Sequence, residues 1–253
     1  GGRLRPRPFL CPRLLLRHLF FCAALLALMA PMRRLVEALL WFDLYRAFRR
    51  VCWRGTWPPA LPDGPVIAYA NHHHFYDGHL AWLLFRARLG RPPTLWMAEW
   101  DRFPFFAAVG AQPFPPNDAS RRAATLRRTA RRFRARPQTV LVYYPEGTLH
   151  APDDGIGPFD EAAVQRLARL YPEAQWWPYA VHVTWRDEAD PTVLLAGGEP
   201  HGADGKHHAR LKQLWHSLRA SSPSPTRTLL QGSRNLEEWW DFSFASSFFE
   251  RYL

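Results

Sequence analysis

A run of strand-forming residues in the middle of the chain most constrains its fold. Residues 139–144 read Thr-Val-Leu-Val-Tyr-Tyr, β-branched or apolar throughout. A strand without polar alternation is buried on both faces, which is typical of the parallel sheets of α/β proteins. A second such run, Val-Ile-Ala-Tyr at 66–69, follows the turn signal Pro-Asp-Gly-Pro at 62–65. The sequence therefore predicts at least two buried strands in an α/β sheet.

Strand and helix patterns alternate along the rest of the chain, which predicts a single α/β domain with a mixed, largely parallel sheet flanked by helices. We expect this domain at residues 53–220, after an N-terminal membrane-associated helical segment at 1–52 and before a linker and aromatic tail at 221–253. Further strands are predicted at 94–98, 177–183 and 192–195, and helices at 80–85, 103–109, 121–136, 161–170 and 209–218.

The N-terminal segment contains two apolar stretches. Leu19 to Ala30 is shorter than the roughly 20 apolar residues that cross a bilayer, so we interpret it as interfacial or shallowly buried. Arg33 to Arg50 is apolar and aromatic with arginines at both ends, which fits a core helix or a helix sunk partly into a bilayer. Trp53 and Trp57 favour the bilayer. An alternative is that Met29 is the start and residues 1–28 are not native.

The basic charge of the chain comes almost entirely from arginine. The formal net charge is +11, and Lys206 and Lys212 are the only lysines, which indicates that part of the basicity reflects a GC-rich genome. The remainder fits an anionic partner. Eight arginines lie on the predicted helix 121–136, as a solvated face or a surface against anionic lipid. The three cysteines form no disulfide framework and no metal-binding pair, which favours a reducing compartment.

Candidate chemistry follows the strand at 66–69. In the stretch Asn-His-His-His-Phe-Tyr-Asp at 71–77, only His72 has a carboxylate five residues later, at Asp77. A carboxylate fixes one tautomer of a histidine and stabilises its imidazolium. Because the stretch holds no Ser or Cys, the proton source is expected to be a substrate hydroxyl. We predict His72 as general base and Asp77 as the residue that orients it.

A second polar loop follows the strand at 139–144. It reads Pro-Glu-Gly-Thr, and we expect Glu146, Gly147 and Thr148 to supply acceptor and donor groups to the incoming substrate. On this hypothesis Glu146→Ala chiefly weakens use of the acceptor.

Two other functions remain open at this point. His72, His74 and Asp77, joined by His150 or His207, could bind zinc for hydrolysis. The chain could instead be a non-enzymatic basic module that binds a membrane or nucleic acid. Few aromatic residues interleave with the arginines, so we expect no nucleic-acid partner.

Three motifs together resemble the lysophospholipid (1-acylglycerol-3-phosphate) acyltransferase family, part of the glycerolipid acyltransferase superfamily. They are Asn-His-x4-Asp at 71–77, Pro-Glu-Gly-Thr at 145–148 and the strand Trp-Pro-Tyr-Ala-Val at 177–181. The resemblance covers about residues 60–185. It implies an acyl thioester donor (acyl-CoA or acyl-carrier protein) as co-substrate, no other cofactor or metal, and a lysophospholipid-like acceptor. It also implies a membrane-embedded pair of N-terminal helices, for which Leu19 to Arg50 is the candidate.

The chain departs from the family pattern at two places. The family's second motif begins at a glycine, here Gly110, and ends six residues later at an arginine that holds the acceptor's phosphate; this chain has Pro116 there. Arg121 or Arg122 substitutes only if the Pro-rich loop folds back. The family usually continues Glu-Gly-Thr with Arg-Ser, whereas Leu149-His150 follow here. The acceptor is therefore open and includes lipids without phosphate.

The sequence thus predicts an O-acyltransferase at the cytoplasmic face of the cell membrane. Its expected reaction moves a fatty acyl group from the thioester to a hydroxyl of a lysophospholipid-like or other lipid acceptor, on an anionic membrane surface.

Overall fold

The computed structural model describes residues 12–185, 188–220 and 226–233, with side chains from residue 30 onward except that of residue 226. The helices are α1 (Pro12–Ala47), α2 (Asp77–Ala81), α3 (Ala119–Ala135), α4 (Glu161–Leu170) and α5 (His207–Arg219). A π-helical segment, Trp82–Arg88, continues α2, and three short 3-10 helices lie at Trp100–Arg102, Pro104–Val109 and Pro152–Asp154. The strands are β1 (Arg50–Arg54), β2 (Val66–Tyr69), β3 (Pro93–Met97), β4 (Ala111–Pro113), β5 (Val140–Tyr143), β6 (Gln175–Thr184), β7 (Thr192–Gly197) and β8 (Thr226–Gln231).

The strands form one eight-stranded sheet in the order β4-β3-β5-β2-β6-β7-β1-β8. Strands β4, β3, β5, β2 and β6 are mutually parallel, as are β7 and β1, while β6 pairs with β7 and β1 with β8 in antiparallel fashion. The predicted fold class, an α/β domain with a mixed and largely parallel sheet, is confirmed. The predicted strands and the helices at 161–170, 121–136 and 209–218 are present, with bounds that differ by a few residues.

The sheet separates two apolar cores. Val66 and Ala68 of β2 pack into the core under α1 and α2, whereas Ile67 and Tyr69 pack into the core under α3, α4 and α5. This alternation follows from the pleat of a strand, which sends successive side chains to opposite faces. Both faces are apolar because helices cover both, as the unbroken apolar run of β2 predicts.

The N-terminal segment forms one helix, α1, where two were expected, and this helix ends earlier than the sequence predicts. The structure has one helix over Pro12–Ala47, where the family resemblance implies a pair, and the helix ends before Arg50 because that residue begins β1. Trp53, predicted at a membrane interface, is 2% exposed and stacks on Trp177 with 6.2 Å between ring centroids. Its strand lies inside the sheet between β7 and β8, so its side chain is a core residue. In the portion with described residues, no helix has the length and apolarity to cross a bilayer.

The sheet also extends beyond the predicted domain on its C-terminal side. Residues 226–231, predicted as part of a linker and tail, form β8 and pair with β1. Leu229 and Leu230 are buried against the core under α1. This strand was not predicted because its sequence, two threonines and one Leu-Leu pair, is only weakly strand-like and directly follows the Ser- and Pro-rich residues 221–225. The aromatic tail after residue 233 lies outside the described residues.

Candidate active site

The predicted site residues meet because two neighbouring parallel strands end at the same edge of the sheet. Tyr69, the last residue of β2, is in register with Tyr143, the last residue of β5. Loops that leave the carboxyl ends of adjacent parallel strands lie side by side, and such edges hold the ligand sites of open α/β sheets. The loop at 70–76 therefore faces the loop at 144–150.

His72 and Asp77 form a hydrogen-bonded pair. His72 Nδ1 lies 2.8 Å from Asp77 Oδ2, and the same oxygen accepts the backbone N–H of His74 at 3.0 Å. A carboxylate oxygen only accepts, so Nδ1 carries the proton and the lone pair is on Nε2. Asp77 is 1% exposed, whereas the side chain of His72 is 28% exposed. The pair thus joins a buried carboxylate to a partly exposed imidazole whose Nε2 lone pair can accept a proton.

The surroundings of this pair are apolar and aromatic. The ring of Tyr144 stacks on His72, with 4.4 Å between centroids and 18° between planes. Burial raises the pKa of the Tyr144 hydroxyl well above its usual range, and the charge of Asp77 acts in the same direction, so the phenol stays neutral. The second oxygen of Asp77, Oδ1, is buried and receives no hydrogen bond from the described residues. The contacts of the Asp77 carboxylate with hydrogen-bond donors among the described residues are therefore both made through Oδ2, with His72 and with the backbone of His74.

Glu146 lies behind the loop of His72 instead of at its surface. Its side chain is 2% exposed. Oε1 accepts the backbone N–H of His72 at 2.9 Å, and Oε2 accepts the N–H of Gly157 at 2.7 Å and a hydrogen bond from His150 Nε2. Gly147 and Thr148, by contrast, are exposed. Of the three predicted substrate-binding residues, the glycine and the threonine are open to a substrate, while the carboxylate is occupied by protein donors.

The next histidine, His73, is held in one tautomer. The amide of Asn71 is fixed by strand β6, because its Oδ1 accepts from Val181 N and its Nδ2 donates to Val181 O, both at 2.9 Å. The same Nδ2 donates to His73 Nδ1 at 3.0 Å, so the ring proton is on Nε2, which donates to Gly155 O at 2.9 Å. Burial lowers the pKa of His73, which agrees with a neutral ring.

The geometry bears on the zinc hypothesis. Among the described residues, the group whose potential ligand atoms lie within 4.8 Å of one another is His73, Glu146 and His150, and not the predicted set with His72 and Asp77. A metal at His73 Nε2 would move the ring proton to Nδ1, against the amide hydrogen of Asn71. Because Asn71 cannot turn without losing both bonds to β6, the structure disfavours a metal at this group.

The two arginines considered as substitutes for Pro116 are both engaged. Arg121 forms a two-pronged ion pair with Asp101, at 2.9 and 3.0 Å. Arg122 donates to the carbonyl of Pro115 at 2.9 Å and to that of Pro116. The Pro-rich loop does fold back onto Arg122, but the contacts in the structure are with the loop itself.

Sequence reasoning missed the residues that support this site. The stack of Tyr144, the amide brace of Asn71 and the contact of Gly157 with Glu146 all depend on which loops face each other. Two of the residues involved carried a signal: Asn71 opens the motif Asn-His-x4-Asp, and His150 stands where the family pattern has another residue.

Comparison with known proteins agrees with this geometry. The sequence model of the family described as Acyltransferase matches residues 55–181, just over half of the 253 residues. The matched range contains His72, Asp77 and the loop at 145–148. No curated protein matches the chain. The chain belongs to the acyltransferase family and is an enzyme that transfers acyl groups.

Proposed function

We propose that the protein is an O-acyltransferase that moves a fatty acyl group from acyl-CoA or acyl-carrier protein to a hydroxyl of a lysophospholipid-like or other lipid acceptor. The observation that carries the proposal is the His72–Asp77 pair, with its 2.8 Å hydrogen bond and a His72 side chain that is 28% exposed. A basic imidazole can take the proton of an alcohol while the alcohol attacks an activated acyl group, which is the chemistry of acyl transfer.

In the reaction, His72 Nε2 takes the proton of the acceptor hydroxyl while the oxygen attacks the thioester carbonyl. The C–O bond forms, the C–S bond then breaks, and the imidazolium returns its proton to the leaving thiolate. Asp77 holds the ring through Nδ1 and stabilises the imidazolium between the two proton transfers. Asp77 is nearly fully buried, so water weakens this interaction little.

Substrate contacts are assigned to the exposed part of the second loop. Gly147 and Thr148 lie on the surface after β5, and the Thr148 hydroxyl can both donate and accept a hydrogen bond. The positive φ of Gly147, 73°, makes the turn that exposes them. A substrate hydroxyl or carbonyl oxygen fits these groups better than it fits the enclosed carboxylate of Glu146.

A test of the activity uses labelled acyl-CoA and acyl-carrier protein with a panel of lysolipids and non-phosphate lipid alcohols, and identifies the product by mass. We expect an ester product with at least one acceptor and its loss in His72→Ala. A protein that forms the ester equally well without the His72 imidazole would overturn the proposal. Product from lysophosphatidate would indicate that an arginine at residue 116 is dispensable.

We further propose that the enzyme works at the cytoplasmic face of the cell membrane and contacts it through α1. One stripe of α1 packs into the core, but a second stripe exposes large apolar side chains: Met32, Leu35, Leu39 and Phe42 are 45–56% exposed. Arg33, Arg34 and Arg46 are exposed on the same helix, where they would meet anionic headgroups. Helix α3 packs on the other face of the sheet, so its arginines are less well placed for this contact.

Sedimentation with vesicles tests the membrane contact. We expect Leu35→Glu with Phe42→Glu to release the protein from anionic vesicles without unfolding it, because both side chains are exposed. Matched substitutions on the exposed side of α3, Arg127→Glu with Arg131→Glu, should release it less. The reverse order would place the membrane surface on α3.

A further inference from the structure

The backbone of His72 is held at both of its polar groups by the loop that follows β5. Its N–H donates to Glu146 Oε1 at 2.9 Å, and its carbonyl accepts the backbone N–H of His150 at 3.2 Å. Glu146 and His150 are themselves joined through Oε2 and Nε2. These contacts close a ring of three residues, which we call the Glu146–His150 clamp.

Both ring nitrogens of His150 face hydrogen-bond acceptors in the clamp. His150 Nε2 faces the carboxylate of Glu146, and Nδ1 faces the carbonyl of Ala151 at 3.2 Å. Both partners only accept, so the ring satisfies both when each nitrogen carries a proton. The side chains of Glu146 and His150 are 2% and 20% exposed, so solvent screens the pair weakly. The facing histidine, His73, contacts the His150 ring edge-on at 4.7 Å between centroids.

We propose that His150 is a positioning residue for His72: through the clamp it fixes the backbone from which the catalytic imidazole is aimed. This inference rests on the proposed function. It also gives a role to the departure from the family pattern at residue 150, which on sequence alone counted only as a zinc ligand or a lost substrate contact. By holding the backbone of His72, the clamp sets the orientation of the imidazole toward the reacting atoms. Reaction rates fall steeply when such an orientation changes.

The clamp can be disturbed in two independent ways. His150→Ala removes the side-chain bond to Glu146 but keeps the backbone N–H that donates to His72. Gly157→Ala keeps every hydrogen-bonding group and places a Cβ 3.1 Å from Glu146 Oε2 and 3.5 Å from His150 Nε2, which presses on the carboxylate. The matched controls are His216→Ala at an exposed histidine and Gly202→Ala, where an added Cβ meets nothing within 4 Å.

The experiment measures kcat and KM for both substrates, with thermal unfolding as a check of folding. We expect His150→Ala to lower kcat about 10- to 100-fold with KM changed less than about twofold, and Gly157→Ala to give a smaller loss of the same kind. His150→Gln, which restores a donor to Glu146, should recover part of kcat. Both controls should match the wild type.

A second measurement does not depend on activity. The low-field proton signal of His72 Nδ1–H, assigned by its loss in His72→Ala, should weaken or exchange faster in His150→Ala, because the Nδ1–Asp77 bond is no longer held in line. If the signal and kcat stay unchanged in both clamp variants, or if only KM for the acceptor rises, His150 does not position His72.

The outcomes separate the two proposals. If His72→Ala keeps full transfer, the proposed function fails. If His72→Ala is inactive while His150→Ala and Gly157→Ala are fully active, only the clamp fails. Loss of wild-type activity on chelation, restored by zinc, would also overturn the clamp and assign His73, Glu146 and His150 to a metal.

Discussion

Two groups of histidines lie near the carboxyl end of β2, and they differ in what their nitrogens touch. Past the end of β2, His72, His73 and His150 each make hydrogen bonds through their ring nitrogens, and two carboxylates, Asp77 and Glu146, are among the partners. Under α5, His201 bonds the Tyr69 hydroxyl at 2.8 Å, but neither ring nitrogen of His207 has a hydrogen-bond partner among the described residues.

This difference indicates which histidines can transfer protons in catalysis. His207 is 2% exposed and lies against Trp176, 4.4 Å between ring centroids, as an apolar aromatic would. Burial lowers its pKa to about 4, and the nearby His201 acts in the same direction. A histidine kept neutral by its surroundings is a packing residue, whereas one beside a buried carboxylate can gain and return a proton. The predictions below test this contrast.

The largest effect is expected at the carboxylate that distinguishes the first group. Asp77→Asn keeps the shape of the side chain but removes the anion, so we expect kcat to fall about 10³- to 10⁴-fold. Steady-state kinetics with the best acceptor measures this, with the exposed Asp63→Asn as control. If kcat falls less than about tenfold, the imidazole of His72 needs no anion. The carboxylate would then not distinguish the first group of histidines from the second.

The second effect is a loss of stability in acid from His207. Its pKa is about 4 in the folded protein and about 6.5 in the unfolded chain, so between these values the unfolded chain binds a proton that the folded protein does not. Stability is therefore lost as pH falls from about 6.5 to 4, by roughly 3 kcal/mol at most.

Urea unfolding at several pH values measures this contribution as the difference between the wild type and His207→Leu. Other titrating groups cancel in that difference. Curves that stay parallel from pH 7 to 4 would mean that His207 is not kept neutral by burial.

The smallest effect is expected from the stacked ring in the first group. Tyr144→Leu removes the stack on His72, and we expect kcat to fall about 3- to 10-fold, because aromatic pairs contribute about 0.5–1.5 kcal/mol. Tyr144→Phe keeps the ring and serves as the control, with kcat near that of the wild type. If kcat falls equally in both variants, the buried hydroxyl of Tyr144 supports the activity and the stacked ring does not.

Much of the fold and part of the site could be predicted from the sequence, because both depend on local patterns. The apolar runs of β2 and β5 indicate strands buried on both faces, and the spacing from His72 to Asp77 indicates their pairing. The roles of Glu146 and His150 could not be predicted, since residues 146–150 meet residue 72 only after the strands pair. Strand β1 was missed because its apolar residues follow a helix pattern without a clear break.

The pairing of β8 with β1 has a practical consequence for anyone who shortens the gene. The family match ends at residue 181 and the predicted domain at 220, yet Thr226–Gln231 covers the outer strand of the sheet and brings in Leu229 and Leu230. A truncation at 220 would leave β1 as a bare edge with open amides and an uncovered apolar strip, and one at 181 would also remove β7, the other strand that pairs with β1. Such edges recruit strands from other chains, so the shortened product should form inclusion bodies.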